Sequence, residues 1–488
     1  MKKEIKFKRA GFFFKKTAGN ITTTYKQRIW VCLQGRSPGG KGTGIMMKKL
    51  LSVGICLMLL VGTLAGCGDK KTPDNTGSTG AGTQESGTGS GDEGNGGSVQ
   101  SGEEVIFWGY WDGDVEAQIN EVVNAFNEST GANVKYVCQP DMMNAFQAAA
   151  IAGDVPDVML WDATEVRRYA RMGQLLAIDD YLETAGIPKE DFNDESIREL
   201  TVDGKLYGLP MNIDIWGVYV NMDILRQAGI EEAPATWDEI KAAAIAAMNV
   251  EGVRVGLNMK MAPNLFNSFL IANAGQPLSD DGLTVNLDDK ALQVLEYFKE
   301  LVDSGVYSTD YAAAGGADGF LTGEEAMVLW PTSMLRSYKT YGEEIDFTFV
   351  PIPQGRAEGA QAGGVQTSWS LVIPAQAKHA ETAQAFLDFA LHNEENSLKW
   401  CDIVGGFSAL KSVQKNEKFA NDKYLMNVLA DLENHRIRSD VPGFINLEAT
   451  CYMPEIEKML EGSQSPEDTL AVMQQEGDKL LSQYRGDN

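Results

Sequence analysis

The chain carries 488 residues, too many for one ordinary hydrophobic core, so at least two lobes are expected. Its 68 acidic residues outweigh 42 Lys and Arg for a net charge of −26, which argues against nucleic acid or an anionic lipid surface as partner. Six cysteines fall far apart with no C-x-x-C, so neither a disulfide-stapled scaffold nor a cysteine zinc site is expected, and isolated thiols are.

Residues 1–45 are rich in Lys and Arg and have no periodicity. Met46-Met47-Lys48-Lys49 then precedes an apolar run over 50–64, shorter than the roughly 20 residues of a spanning helix. A basic start, a short apolar core and small residues before a cut make a secretory signal, expected over 46–66. Because a signal normally begins a chain, residues 1–45 are expected to be a non-native extension from an upstream start. Leu64-Ala65-Gly66-Cys67 resembles the bacterial lipobox, which implies cleavage before Cys67 and a lipid on its thiol. Residues 67–102 are Gly, Ser, Thr, Asp and Asn with little that is apolar, a composition that cannot bury a core and predicts a disordered tether. Residues 1–66 hold 13 Lys and Arg and one acidic residue; the remainder holds 29 and 67, a net of −38.

From residue 103 onward strand-like and helix-like segments alternate, the pattern of an α/β sheet. Residues 105–108 read as a strand. Val115, Ile119, Val122, Val123 and Phe126 share one helix face, which Gly131 ends. Residues 134–137 form the next strand, 145–151 a helix, 157–161 a third strand, and 166–172 begin another helix. Residues 205–209 are a short strand that Pro210 stops. Residues 213–220, β-branched and aromatic, form a longer one. Asn221 opens a short helix that Gly229 closes. Thr236 and Glu239 make a T-x-x-E capping box ahead of Ile240, Ala243, Ala244, Ala247 and Met248 at helical spacing. Further helices follow from Ala291, Leu295, Phe298 and Val302, and from Ala383, Phe386, Leu387, Ala390 and Leu391. The three histidines, His379, His392 and His435, fall in predicted helices or their starts.

The string GKLYGLPMNIDIWGVYVNMDILRQAGIEEAPATWDE over 204–239 is more specific than its periodicity. Tyr207 to Pro210, Tyr219 with Asn221 and Asp223, Gly229 with Ile230, and Pro234 with Thr236 to Glu239 resemble the extracellular solute-binding proteins of bacterial carbohydrate ABC importers, the maltose-binding-protein-like family. Val220, between Tyr219 and Asn221, departs from that pattern without breaking strand alternation. Gly153 to Val158, Tyr169 with Gly173 and Leu175 to Asp180, Phe320 with Gly323 to Met327, Gly363 and Gly364 with Trp369 to Pro374, and Glu381 to Leu391 resemble further family motifs in order. The resemblance implies an α/β, two-lobed periplasmic-binding-protein-like fold, with a hinge and an interlobe ligand cleft. It places lobe 1 at 103–212 and 365–413 and lobe 2 at 213–364 and 414–488. Chain crossings are expected at 211–214, at 364–370 and after Val413. The lobes are expected to close over the ligand.

Aromatic residues carry the chemistry. Ligands of open α/β sheets bind beyond the carboxyl ends of strands. Trp108, Tyr110, Trp111, Trp161 and Trp330 fall near such ends, and Trp216 and Trp369 at the crossings. An apolar sugar face packs on an indole, and fixed polar groups then orient its hydroxyls. Asp112, Asp162, Asn212, Asp214 and Ser368 lie close in sequence to those rings. Tryptophan is ordinarily a core residue, and Trp237 and Trp400 are read that way. There is no H-E-x-x-H, no G-x-S-x-G and no Cys/His cluster, so no catalytic residue, metal or cofactor is expected. The expected protein is a monomeric, lipid-anchored receptor on the extracellular face, with a carbohydrate ligand and ABC permease subunits as partners. The competing expectations are a receptor for a peptide or polyamine, and a cell-surface glycoside hydrolase, whose carboxylate pair need not be close in sequence.

Overall fold

A computed structural model describes residues 102–308 and 318–485; residues 1–101, with the extension, the signal segment, Cys67 and almost all of the tether, lie outside the described residues. The strands, in chain order, are β1 (Glu104–Gly109), β2 (Asn133–Cys138), β3 (Val158–Asp162), β4 (Thr201–Val202), β5 (Lys205–Leu206), β6 (Leu209–Pro210) and β7 (Asn212–Asn221). β8 (Val255–Met259), β9 (Glu325–Pro331), β10 (Phe347–Pro351), β11 (Gly364–Thr367), β12 (Trp369–Val372), β13 (Phe407–Ser408) and β14 (His435–Ile437) complete them.

Two sheets hold most of these strands. The first has the order β2-β1-β3-β12-β6. β1 runs parallel to both β2 and β3, and β12 is antiparallel to β3 and β6. The second has the order β14-β11-β7-β9-β8, with β10 and β13 also pairing with β7. The chain leaves the first sheet for the second between β6 and β7, at Met211, and returns between β11 and β12, at Ser368. Pro210, expected to stop a strand, sits inside β6; that strand is at the sheet's edge, where a missing N–H costs no ladder bond. The single strand expected over 205–209 is split instead. A Cβ on Gly208 would lie 2.6 Å from the Leu371 carbonyl oxygen, so the backbone there runs directly against β12.

Apolar packing forms two clusters. The helix Asp114–Thr130 buries Ile119, Val122, Val123 and Phe126 and stops at Gly131, whose φ is 75°. Phe126 meets Phe386 of the helix Ala380–Leu391 in the first cluster, whose packing continues through Phe419, Leu425 and Val428. The second cluster gathers Val218, Val220, Phe269, Phe298 and Met327, and resumes at Phe444. β7 serves both by alternation: Val218 and Val220 face the second, Tyr219 the first, against Phe349 and Tyr338 with ring centroids 4.7 Å away in each case. The capping box forms as expected: Thr236 accepts from the Glu239 N–H while Glu239 accepts from the Thr236 N–H. Trp237 behind it is buried and stacked on Tyr297 at 4.8 Å, and Trp400 is fully buried.

His435, expected in a helix, belongs to β14, where pairing with β11 overrides local preference. Among the described residues, Cys138, Cys401 and Cys451 form no disulfide. Burial pushes Cys401 up to about 12 and Cys451 up to about 11, which keeps both protonated and inert. Among the described residues no helix is long and apolar enough to cross a membrane.

Candidate ligand-binding site

Rings from both sheets gather beside the two crossings. β1 runs into Tyr110 and Trp111, and β12 begins at Trp369. Trp369 lies 5.1 Å from Trp111 and 5.5 Å from Tyr110 between ring centroids, each pair edge to face. The Tyr136 hydroxyl fixes this corner by donating to the Trp111 carbonyl at 2.9 Å. On the second sheet Trp216 of β7 and Trp330 of β9 meet edge to face at 5.7 Å, and the Lys260 ammonium stands 5.8 Å above the Trp330 ring. All five rings, and Trp108 of β1, are half-buried, so each keeps a surface to offer.

The polar residues expected to bind ligand are mostly engaged by the protein. Asn212 is fully buried: its amide donates to the Gly405 carbonyl at 2.9 Å, and its oxygen accepts from the Trp369 N–H at 2.8 Å. It thereby ties both crossings together. Asp214 is buried beside them, and its Oδ1 accepts from the Thr332 hydroxyl at 2.7 Å and the Ser333 N–H at 2.8 Å. Burial raises its pKa against those bonds. Ser368 is buried and its hydroxyl donates to Ser196. Asp162, half-buried, caps the helix Ala163–Arg171 by accepting from the Thr164 N–H at 2.9 Å. Asp112 is exposed. Trp161 is fully buried, its ring 4.5 Å from Tyr169 and 5.2 Å from Phe146, so the structure places it in the core and apart from the other rings.

A charged set that the sequence did not single out lies next to Asp162 and Ser368. From the helix Ala163–Arg171 come Glu165 and Arg167, and from the helix Asp194–Leu200 comes Glu199, all three at buried or half-buried positions. Arg438, one residue past β14, and Glu448 come from the other side, with Arg438 Nε 3.1 Å from Glu448 Oε2. Asn267 donates to Glu448 Oε1 at 2.6 Å. Burial, with Asp162 adding to it, pushes the Glu199 carboxyl up to about 8, against the pull of Arg167, Ser368 and Arg438. Burial likewise raises Glu165 and Glu448, and Arg438 opposes in both cases. A signal for two of these did exist. Arg167 shares its helix's inner face with Ala163, Val166 and Ala170, and Glu199 follows Ser196 on the inner face of its own.

The model of the bacterial extracellular solute-binding protein family matches residues 121–427. The chain belongs to that family. The match takes in Trp161, Trp216, Trp330 and Trp369 but stops short of Tyr110 and Trp111 at one end and Arg438 and Glu448 at the other. Among similar proteins, the arabinooligosaccharide-binding protein of Bacillus subtilis (strain 168) is 23% identical over 417 residues, covering 80% of this chain and 89% of its own. The maltooligosaccharide ABC transporter solute-binding lipoprotein of Streptococcus pneumoniae (strain ATCC BAA-255 / R6) is 22% identical over 349 residues, covering 67% and 77%. The crystal structure of the cyclic alpha-maltosyl-1,6-maltose binding protein from Arthrobacter globiformis superposes with a TM-score of 0.68 at 20% identity, covering 78% of this chain and 99% of that one. The fold of this solute-binding protein is thus the two-lobed one, with a sheet in each lobe and the crossings at Met211 and Ser368 between them.

Proposed function

We propose that this solute-binding protein is a lipid-anchored receptor on the extracellular face of the membrane, which captures a sugar or oligosaccharide and delivers it to an ABC permease. The observation that carries this is the pair of aromatic groups, Tyr110–Trp111–Trp369 from one sheet and Trp216–Trp330 from the other, beside the crossings. Asn212 binds the Trp369 backbone and Trp216 lies four residues on in β7, so at ~3.3 Å per residue the groups are spaced roughly 13 Å along that strand. Rings on both lobes let a saccharide stack twice, and closing the lobes removes the water that competes for its hydroxyls. Ligand drives that closure only through its higher affinity for the closed form, so contacts from both lobes are required. The saccharides in the relatives' names support the ligand class, and the pneumococcal lipoprotein supports the anchor at Cys67. We place the third passage between lobes after Val413 and ahead of Tyr424, which stacks on Phe347 of β10 in the second sheet. We read the protein as a monomer without catalytic activity.

Calorimetry of the mature protein against neutral oligosaccharides, with product analysis of each mixture, tests the proposal. Saturable binding without new product is the expected result. Turnover of the saccharide makes it a glycoside hydrolase instead; binding of a peptide or polyamine and of no sugar moves it to another class of importer. For the anchor, palmitate labelling of Cys67→Ala should show no lipid on the protein, and label that persists removes lipidation from the proposal.

A further inference from the structure

The helix Ala380–Leu391 begins at His379, and the ring of that residue stands where the chain enters the fold. Glu103 immediately precedes β1, and residues 67–102, read as a tether, lead into it. His379 Nε2 lies 2.9 Å from Glu103 Oε2, and Nδ1 lies 3.1 Å from Asp157 Oδ2. Both ring nitrogens therefore face carboxylate oxygens, which only accept. A neutral imidazole has one N–H and serves one of them; the imidazolium has two and serves both.

The two carboxylates are not equivalent. Asp157 is 4% exposed and belongs to the frame of the first sheet. Its Oδ1 accepts from the His379 backbone N–H at 2.9 Å and its Oδ2 from the Ile106 N–H of β1 at 2.9 Å, while its own N–H donates to the Ile106 carbonyl at 2.8 Å. The Glu103 side chain is 65% exposed, so water replaces a lost partner there at little cost. A ring that gives up one proton therefore keeps Nδ1–H on Asp157 and turns a bare Nε2 lone pair towards Glu103. The neighbouring charges are committed elsewhere: Lys378 pairs with Asp154 at 2.8 Å, and Glu104 pairs with Lys135. Burial opposes the charge on His379, but Asp157, then Glu103, outweigh it and raise its pKa above the ordinary 6.5.

From this geometry we infer that His379 is a proton-operated latch: charged, it fastens Glu103, and with it the root of the tether, to the first lobe; neutral, it lets Glu103 go while the fold stays intact. The latch is closed in acid and opens as the pH rises through the raised value. The inference goes beyond the receptor proposal, because it concerns how the lobe is attached and not what the cleft binds. The far end of the same helix offers an internal reference. His392 has Nε2 3.0 Å from Asp191 and Nδ1 3.2 Å from Asp388, so its ring also bridges two carboxylates. Both of those lie well inside the fold's own chain, and titration of His392 frees no point of entry.

The test is an NMR titration of the full mature protein, tether included, that follows the histidine rings and the backbone order of residues 102 and 103 together. Order at those two amides should fall from near the rigid-backbone value of about 0.85 to below about 0.6 as the pH rises, with the midpoint of the His379 ring, while Ile106 stays ordered throughout. Glu103→Gln removes one of the two charges facing the ring; it should lower the His379 midpoint towards 6.5 and abolish the step in order. His379→Asn keeps a donor for Asp157 but does not reach Glu103, so residues 102 and 103 should be mobile at every pH while the urea midpoint at high pH is unmoved. A His379 midpoint that Glu103→Gln leaves in place overturns the inference. So does a wild-type protein with no step at residues 102 and 103, or with a step that follows His392. None of these outcomes bears on sugar binding, so the receptor proposal stands or falls separately.

Discussion

Trp161 is the penultimate residue of β3 and Trp330 of β9, each after apolar residues and near the carboxyl end of its strand, yet the two rings meet different surroundings. Trp161 lies against Phe146 of the helix Met142–Ala152 and Tyr169 of the helix Ala163–Arg171, which cover it completely. Trp330 is only half-buried, with Trp216 at its edge and Lys260 above its face. A strand end therefore does not decide whether an indole binds ligand. What decides is whether a helix lies across the face to which the pleat directs it, and two covered faces at β3 leave no room for a sugar.

The largest effect that separates these tryptophans is on stability. Trp161→Ala should cost about 3–5 kcal/mol in a urea melt, because a large cavity opens among Phe146 and Tyr169. A small stability loss with a large loss of sugar affinity would return Trp161 to the cleft and erase the contrast.

The lobes should also differ in acid. Burial pushes His435 of β14 down to about 4, with its Nδ1 3.1 Å from the Asp431 carbonyl oxygen. The unfolded chain takes up that proton near pH 6.5 and the folded one does not, so stability falls as pH drops from about 6.5 to about 4, by ~3 kcal/mol at full effect. His379 and His392, which pack with the first lobe, go the other way. Burial opposes the charge on His379, but Asp157 and Glu103 outweigh it, and Asp388, then Asp191, raise His392. The stability these two contribute is complete below pH 6.5 and is lost only as pH rises through their folded values. An NMR titration with melts at pH 7, 5 and 4 checks this; a His435 imidazole that protonates near 6.5 breaks the contrast between lobes.

Trp330→Ala should weaken the best neutral sugar by about 1–3 kcal/mol, a tenfold to hundredfold rise in Kd, while shifting the urea midpoint little. A lower midpoint with unchanged affinity would make Trp330 another Trp161. The smallest effect is expected below it. Asp214 holds Thr332 and Ser333, just after Trp330, through Oδ1 alone in the bonds observed. Asp214→Asn keeps an acceptor there and should change stability by about 1 kcal/mol or less, with affinity unmoved. A large affinity loss would place Asp214 on the ligand.

Local signals were legible because their causes sit within a few residues. Gly131 ends its helix in the left-handed region, Thr236 and Glu239 cap theirs reciprocally, and Ile240, Ala243, Ala244 and Ala247 bury the face their spacing marks. The aromatic residues were legible as candidates, Tyr110, Trp111 and Trp330 from strand ends and Trp216 and Trp369 from the crossings, but the same strand-end signal also picked out the buried Trp161. Which polar residues serve them was not. Asn212 and Ser368 stand at the crossings in the sequence, but each is taken up by groups distant along the chain, Gly405 and Ser196 among them.

The sequence by itself determined the longer helices, the longer strands of the first half, their alternation and the order of family motifs, because periodicity and capping depend on near neighbours and on the pleat. Only the tertiary structure decided that Trp161 is core, that His435 joins a strand, and that Arg438 pairs with the buried Glu448. Burial and charge pairing are set by whatever the fold lays over a residue. For these residues, that covering comes from segments far away in the chain.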